Sequence, residues 1–279
     1  MRNLFLLISF ISSFVYGQNM RFIYNYTSIP DSLNKSNVIN EITVLELDKK
    51  GGKSIFSSLK KIISDSTMQV NAAKGVYTFP DPLIKTQYVI EKDIVKKDLF
   101  FYTQNHTINP VFKVEDKRKI DWEILKEKKQ ILSYPVQKAT TVFGGRKWIA
   151  WFSTDIPFQD GPYKFNGLPG LILQICDATN SHCYNLIGIS KLQNNSYKTL
   201  EDNSYIGSKT ISLEQYIDTV KEFKSDPMKS IRQKIFRNEI FFTNEQQKSE
   251  YLKNVEKELK QELSENNNPI ELNQKVEFK

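Results

Sequence analysis

The chain has 279 residues, of which 39% are apolar, 25% charged and 12% aromatic. This length corresponds to one or two domains and can bury a substantial core without a disulfide framework or a structural metal. The composition excludes an intrinsically disordered, a collagen-like or a polytopic membrane protein. The formal net charge of +7 raises nucleic acid as a partner, depending on how the charge is distributed.

Residues 1–17 have the pattern of a secretory signal peptide. Arg2 precedes an apolar run from Leu4 to Val15, and Gly17 is the small residue before the predicted cleavage point. The run is too short for a stable membrane span; an uncleaved anchor or a buried N-terminal strand is the alternative. We therefore expect export to the periplasm or out of the cell, with a mature chain that starts at Gln18.

Two further features bear on the membrane. No cysteine lies near the predicted cleavage point, so a lipoprotein anchor is not expected. No later run approaches the roughly 20 apolar residues that a membrane-spanning helix needs. The sequence therefore predicts a mature protein without a membrane span.

Residues 18–211 form the predicted β-rich domain. Phe22, Tyr24 and Tyr26 recur at a period of two, which is typical of a strand with one buried face. A short helix is predicted for residues 54–63. Because strands and helices do not alternate as in a parallel α/β fold, we expect antiparallel strands. The predicted strands are residues 21–28, 39–47, 87–95, 99–102, 111–114, 138–143, 147–153, 171–176, 184–189 and 197–200.

Residues 212–265 form a predicted helical segment that packs on the same domain. Ser212 to Gln215 has the form of a capping box, Asp226-Pro227 is typical of a second helix start, and Thr243-Asn244-Glu245-Gln246 starts a third helix. The apolar stripe of the third helix indicates core packing. Residues 266–279 are a tail that is expected to add a strand or stay loose. The predicted fold class is thus mainly β (β-rich α+β), with a C-terminal helical segment.

The basic surplus belongs to the β-rich domain and is diffuse. Residues 18–211 hold 26 basic and 19 acidic residues, whereas residues 212–265 hold 10 and 11. The densest basic cluster, residues 117–129, is interrupted by acidic residues. Only six of the 39 basic residues are arginine, the residue that suits bidentate contacts to bases. Nucleic acid is therefore not an expected partner.

Residues 119–177 are unusually dense in aromatic residues, glycine and proline. Gly144-Gly145 is typical of a tight hairpin turn between two strands. In the second strand Trp148 faces one way and Trp151 the other, as in a strand that is covered on both sides or lines a cavity. Residues 155–169 form a long loop, which is uncommon unless it is functional or packed by its own side chains.

The aromatic residues of this stretch suggest a binding site. They could line an apolar recess for a lipid, a glycan or a peptide, or they could simply fill the core. Arg146 could bind a carboxylate or an aromatic ring, and an internal partner such as Asp155 is the alternative. The candidate binding residues are Arg146, Trp148, Trp151, Asp155, Phe158, Tyr163 and Phe165.

Catalysis has weaker support in the sequence. There is no HExxH motif, P-loop, GxGxxG motif or nucleophile elbow, so neither a metal nor a cofactor is expected. The two histidines, His106 and His182, lie outside the dense core of the stretch and give no obvious triad. Asp155 and Asp160 could form a carboxylate pair in a secreted hydrolase, but aspartate before Ile-Pro or Gly-Pro is also typical turn chemistry.

Cys176 and Cys183 flank a predicted hairpin connection. Two strands joined there would place the cysteines nearly opposite each other, so a local disulfide is plausible in an oxidising compartment. Free thiols and a metal ligand pair remain the alternatives, the latter with weak spacing.

Residues 167–172 form the hexapeptide Gly167-Leu168-Pro169-Gly170-Leu171-Ile172. In this hexapeptide the chain resembles the GLPGLI family of exported Bacteroidota proteins, which is named after it. One departure is Val136, where many relatives have a cysteine, so cysteine pairing does not carry over from them. Supporting motifs are Asp121-Trp122, Gln137-Lys138-Ala139-Thr140, Arg146 with Trp148 and Trp151, Asp155-Ile156-Pro157, Gly161-Pro162 and Lys164-Phe165.

The resemblance implies a curved or bowl-like β-rich sheet, because a similar module precedes the catalytic part of a peptide-N-glycosidase. It implies no established activity. The expected function is non-catalytic binding or an accessory role in the cell envelope, with a small apolar ligand, a peptide or an envelope protein as partner. A secreted hydrolase is the alternative.

Overall fold

The computed structural model describes residues 19–48, 52–105, 108–192 and 208–272. The predicted signal peptide, His106 and the strand predicted at 197–200 lie outside these residues. The described strands are β1 (Met20–Ser28), β2 (Ile39–Leu47), β3 (Lys53–Ser58), β4 (Val89–Asp93), β5 (Asp98–Asn105), β6 (Ile108–Glu115), β7 (Glu123–Ile131), β8 (Tyr134–Phe143), β9 (Arg146–Ser153), β10 (Leu171–Asp177), β11 (His182–Lys191) and β12 (Lys209–Ser212).

The twelve described strands form one open sheet in the order β12-β6-β5-β4-β3-β2-β1-β11-β10-β9-β8-β7. Strands β1 to β6 are one meander and β7 to β11 a second. The pairing of β1 with β11, from Met20 opposite Lys191 to Ser28 opposite His182, joins the two. The predicted β-rich class with a C-terminal helix is therefore confirmed.

The expectation that all strands are antiparallel is wrong for one pair. Strand β12 runs parallel to β6, with Lys209 opposite Phe112 and Ser212 opposite Glu115. This four-residue edge strand leads directly into a helix, and its sequence carries no pattern that reports direction. Strand β7, at the other edge, is an addition to the predicted strands because its side chains are mostly exposed and show no apolar alternation.

The described helices are α1 (Leu59–Ala72), α2 (Leu213–Ser225), α3 (Lys229–Phe236) and α4 (Glu245–Glu265). Ser212 forms the predicted capping box with Gln215, and Asn244 caps α4 through the N–H of Gln247 at 2.8 Å. Asp226 instead ends α2, and α3 has no side-chain cap.

The helix predicted at residues 54–63 is wrong in its first half. Ser54 to Ser58 belong to β3, which pairs with both β2 and β4. Ser58 then caps α1. Ile55 and Phe56 pack on opposite sides of the sheet, and tertiary pairing overrides the helical spacing that they share with Leu59.

The main core lies on one face of the central strands. Phe22, Tyr24 and Leu45 are fully buried there. In β9, Trp148 and Phe152 face this core, whereas Trp151 is half-buried on the other face beneath the ammonium group of Lys129, 4.2 Å from the ring centre. The side chain of Tyr24 donates a hydrogen bond to the carbonyl of Ile172 at 2.8 Å.

The predicted disulfide between Cys176 and Cys183 is present. The two residues lie directly opposite each other in the β10–β11 pair, with their Cα atoms 4.1 Å apart. Asp177 shapes the hairpin, since its carboxylate accepts the N–H of His182 at 2.8 Å. Cross-strand pairing alone therefore brings the two sulfur atoms together.

The GLPGLI hexapeptide folds the preceding loop back onto the sheet. Gly167 has φ of +92°, a conformation that glycine adopts readily, and its N–H bonds to the carbonyl of Gln159 at 3.0 Å. A Cβ atom on Gly170 would lie 2.0 Å from the carbonyl oxygen of Ser153. Hydrogen bonds from Leu171 and Ile172 then hold the loop at the start of β10.

We predict that Gly170→Ala destabilises the fold more than Gly167→Ala does. The first substitution forces two backbone segments apart. The second adds backbone strain of about 1–2 kcal/mol, with nothing within 4 Å of the added carbon. Urea unfolding of both variants measures the difference; an equal or smaller loss for Gly170→Ala would contradict this account of the motif.

Candidate functional site

A cavity of about 500 Å³ lies against the buried face of the sheet, where the two meanders meet. Its base is formed by β1, β5 and β11, and its walls by the segment before β4 and the loop before β10. Helices α2 and α4 and the segment after α4 (residues 266–272, here the C-terminal strap) close it on the remaining side. Its lining includes Tyr26, Tyr88, Phe101, Tyr163, Lys164, His182, Tyr216 and Asn268.

Aromatic rings supply much of the cavity wall. Tyr88 and Tyr163 meet edge to face at 5.3 Å, and Phe101 and Tyr216 do so at 5.1 Å. Tyr26 stacks on Tyr184 with ring centres 4.3 Å apart. Each ring is thus fixed by another ring, which makes the aromatic part of the lining rigid. Polar residues, among them Thr86 and Thr103, complete the lining.

The tyrosine hydroxyl groups at the cavity are bonded within the protein. The hydroxyl of Tyr26 lies 2.7 Å from His182 Nδ1, that of Tyr88 lies 3.1 Å from the hydroxyl of Tyr184, and that of Tyr163 donates to Glu271 at 2.5 Å. Burial, more than neighbouring charge, raises the pKa of Tyr88 and Tyr163 well above the ordinary value. These tyrosine hydroxyl groups are therefore protonated, and the rings present aromatic carbon rather than free hydroxyl groups to the cavity.

His182 is neutral, and each of its two ring nitrogens forms a hydrogen bond. The carbonyl of Asn268 can only accept, so Nε2 donates to it at 3.0 Å and Nδ1 accepts from Tyr26. Burial and then the charge of Arg146 lower the pKa of His182 to about 4. Both ring nitrogens are occupied, so His182 holds the strap and is not available as a base.

A buried network of four charges lies beside the cavity. The ammonium group of Lys164 is 2.9 Å from Asp116 and 2.7 Å from Glu271. Arg118 bridges the same two carboxylates at 2.5 and 2.7 Å. Lys164 also lies over the ring of Phe101, 4.0 Å from its centre. Two anions and two cations thus neutralise one another.

The carboxylates of this network are ionised at neutral pH. Burial by itself raises the pKa of Asp116, but the hydrogen bonds and charges of Arg118 and Lys164 outweigh burial and hold that pKa well below the ordinary range. The pKa of Glu271 is likewise lowered, because Lys164, Arg118 and Tyr163 together overcome its burial.

The strap is held at several points. Arg146 donates to the side chain of Asn268 and the carbonyl of Pro269, both at 2.6 Å, and pairs with Asp177 at 3.1 Å. The N–H of Leu272 bonds to the carbonyl of Gly144 at 2.6 Å. The described part of the tail is therefore fixed without forming a strand. The predicted internal partner of Arg146, Asp155, is wrong: Asp155 is exposed, and Asp177 takes that place.

The aromatic loop is held from its other side by Lys92. Its ammonium group pairs with Asp160 and donates to the carbonyls of Gly161 at 2.7 Å and Tyr163 at 3.1 Å. Tyr163 has φ of +53°, which is unusual for a bulky residue. Its strained backbone is thus fixed by Lys92 and its hydroxyl by Glu271.

The predicted site residues are divided among several environments. Tyr163 lines the cavity, whereas Trp148 and Phe165 are fully buried in the core, 4.7 Å apart. Phe158 packs against Phe22 at 5.8 Å. The residues of the hexapeptide position the loop and do not line the cavity. Of the two aspartates proposed for hydrolysis, Asp155 is exposed and Asp160 is buried in its ion pair with Lys92.

Several residues of the site are additional to those predicted. Lys164 and Glu271 both lie at charged positions of the sequence, yet no local pattern links two residues so far apart in the chain. The remaining additions, Tyr26, Tyr88, Phe101 and Tyr216, occupy ordinary strand and helix positions. In the described residues no group of three or more histidine, cysteine or acidic side chains could hold a metal ion, and no helix could cross a membrane.

Comparisons with known proteins give a family of unknown function. The family described as "Protein of unknown function (Porph_ging)" matches residues 144–174, from the Gly144-Gly145 turn into β10. This segment contains the complete hexapeptide and fits a family from Bacteroidota. No curated protein sequence matches the chain.

Among the solved structures that match the chain, three illustrate the level of similarity. Two structures of PNGF-II, in space groups C2 and P21, are 15% and 17% identical with TM-scores of 0.49 and 0.46. Each covers 72% of this chain, which spans about a third (32% and 33%) of the PNGF-II chain. An uncharacterized conserved protein from Thermus thermophilus is 6% identical with a TM-score of 0.35, covering 70% of this chain and 90% of its own. Similarity at this level does not indicate a function for this chain.

We predict that His182 makes stability fall as the pH drops from about 6.5 to about 4. Its pKa is lower in the folded than in the unfolded chain, so only the unfolded chain binds a proton in that range. The free energy of unfolding is therefore about 3 kcal/mol lower at and below pH 4 than above pH 6.5. Urea unfolding at several pH values, compared with His182→Gln, isolates this slope; equal slopes would contradict the assignment.

Removing one charge from the network is expected to be strongly destabilising. Glu271→Gln leaves two cations facing one carboxylate, at an expected loss of about 3–5 kcal/mol. Lys164→Met/Glu271→Gln removes one charge of each sign and leaves the Arg118–Asp116 pair. The double variant should therefore lose less stability than the sum of its single variants in thermal unfolding. Additive losses would show that the two groups do not interact.

Proposed function

We propose that the protein is an exported, non-catalytic binding protein of the GLPGLI type that holds a small, uncharged ligand with apolar faces. The observation that carries this proposal is the cavity of about 500 Å³, whose ring-lined wall is rigid and whose volume is in the range of small-molecule sites. Ring faces favour flat apolar surfaces of a ligand.

The charge arrangement supports an uncharged ligand. Lys164 is neutralised by Asp116 and Glu271, and His182 is neutral. The other charged residues of the lining, Lys85 and Glu262, are exposed, so a charged ligand deep in the cavity would lose its hydration shell without gaining a free counter-ion. The polar groups of His182, Lys164 and Tyr163 are all bonded to other groups of the protein. None of them is free to take a proton or attack a bond, which supports binding over catalysis.

Export and the family assignment have separate support. The signal-peptide pattern of residues 1–17 and the Cys176–Cys183 disulfide both suit an oxidising compartment. The hexapeptide Gly167–Ile172 lies within the segment that matches the family of unknown function.

Filling the cavity should abolish ligand binding. Gln87 is half-buried at the cavity wall, so Gln87→Trp places an indole in the space that a ligand would occupy. Gln130→Trp adds the same group to the exposed strand β7 as a control. With the uncharged dye N-phenyl-naphthylamine as probe, we expect at least tenfold weaker binding for Gln87→Trp and no change for Gln130→Trp.

Native mass spectrometry of the protein from its producing cells tests the same cavity without a dye. We expect an added mass on the parent protein and on Gln130→Trp, and none on Gln87→Trp. A bare mass for the parent together with no dye binding would overturn the carrier function.

A further inference from the structure

An exposed apolar loop lies shortly before residues 85–88, which line the cavity. Between α1 and β4, the residues 76–83 (the tip loop) expose four apolar side chains to solvent. Tyr77 is 91% and Phe79 is 94% exposed, and Leu83 and Val76 are 60% and 52% exposed. Apolar residues exposed singly are common, but four within eight residues of one loop point to an interaction surface.

The exposure of the tip loop is built into the fold. At its start, the N–H of Val76 bonds to the carbonyl of Asn71 at 2.9 Å. In the middle, the N–H of Asp81 bonds to Ser64 of α1 at 3.0 Å. After it, Ile84 is buried in the fold, and the buried carboxylate of Glu41 accepts the N–H groups of Lys85 and Thr86 at 3.1 and 2.7 Å. With Ile84 held inward, Leu83 and the aromatic side chains before it face out.

The loop between β1 and β2 borders the same cavity and has a similar tip. Pro30 and Ile39, near its two ends, line the cavity next to Lys85 to Tyr88. Leu33, within this loop, is 91% exposed. Two loops that adjoin cavity-lining residues therefore both present apolar side chains to solvent.

Basic residues lie within or next to these two loops in the chain. Lys35, Lys74 and Lys85 are exposed, and none of them forms an ion pair within the described part of the chain. Asp31 and Asp81, the acidic residues of the two loops, each accept a backbone N–H two residues further on, at 2.9 and 2.8 Å, and remain charged. The three ammonium groups still outnumber these two carboxylates, and apolar tips beside a basic surplus match an interface of acyl chains and anionic headgroups.

We propose that the tip loop docks the protein on an anionic lipid surface, with Tyr77 and Phe79 inserted among the lipids. Side chains that are more than nine-tenths exposed stand apart from their neighbours. A protein partner would need a separate pocket for each, whereas a fluid lipid interface accommodates them without matching shape. Lipid binding by the tip loop does not require that the cavity hold a ligand.

The test is co-sedimentation with vesicles of phosphatidylglycerol and phosphatidylethanolamine. The chain starting at Gln18 is used, since residues 1–17 have the pattern of a signal peptide and precede every described residue. Tyr77→Ser/Phe79→Ser should weaken binding at least tenfold. The matched control is Phe236→Ser/Phe241→Ser, which removes two aromatic side chains that are 88% and 80% exposed elsewhere, and it should bind as the parent does.

Two further measurements separate insertion from non-specific adsorption. Lys35→Gln/Lys74→Gln should weaken binding severalfold on the anionic vesicles and leave binding to phosphatidylcholine vesicles unchanged. The emission of Phe79→Trp should shift to shorter wavelength on addition of anionic vesicles, and that of Phe241→Trp should not. No binding by the parent, equal losses in both double serine variants, or no shift for Phe79→Trp would overturn the proposal.

Discussion

The structure depends on the burial of one carboxylate near the end of the chain. Glu271 is completely buried, and it contacts Lys164, Arg118 and Tyr163 at once. Through these contacts the C-terminal strap is joined to the aromatic loop and to the segment after β6. Removing a carboxylate from water is unfavourable unless its partners are fixed, so the position of Glu271 specifies how these three segments fit together.

The same constraint explains the form of the aromatic loop. Tyr163 is held by two hydrogen bonds: its hydroxyl donates to Glu271, and its carbonyl accepts from Lys92. A left-handed backbone at a tyrosine persists only where the surroundings determine it, and here they do. The hexapeptide contributes by geometry: Gly167 reverses the chain, and Gly170 lets β10 start against the backbone of Ser153. The motif thus positions Tyr163 and Lys164 so that both contact Glu271 of the strap.

The sequence predicted local features well, because their physical causes are local. The alternation in β1, the Gly144-Gly145 turn, the capping box at Ser212 and the Cys176–Cys183 disulfide each depend on residues close in the chain. Such local patterns do not identify side-chain partners that lie far apart in the sequence. Lys164 and Glu271 are 107 residues apart, and Arg146 and Asn268 are 122 apart. Polar and charged residues at those positions are equally compatible with a solvated surface, so the sequence favours the nearby Asp155 as the partner of Arg146.

The cavity is a product of long-range pairing for the same reason. Its base crosses the β1–β11 pair, which joins the first strand to one more than 150 residues later, and its closing side comes from the C-terminal strap. Contacts of such sequence separation form only after large loops are closed. The cavity is therefore complete only when β1, the aromatic loop and the strap are all in place. Loss of Glu271 would accordingly open the cavity without touching any residue of its aromatic wall other than Tyr163.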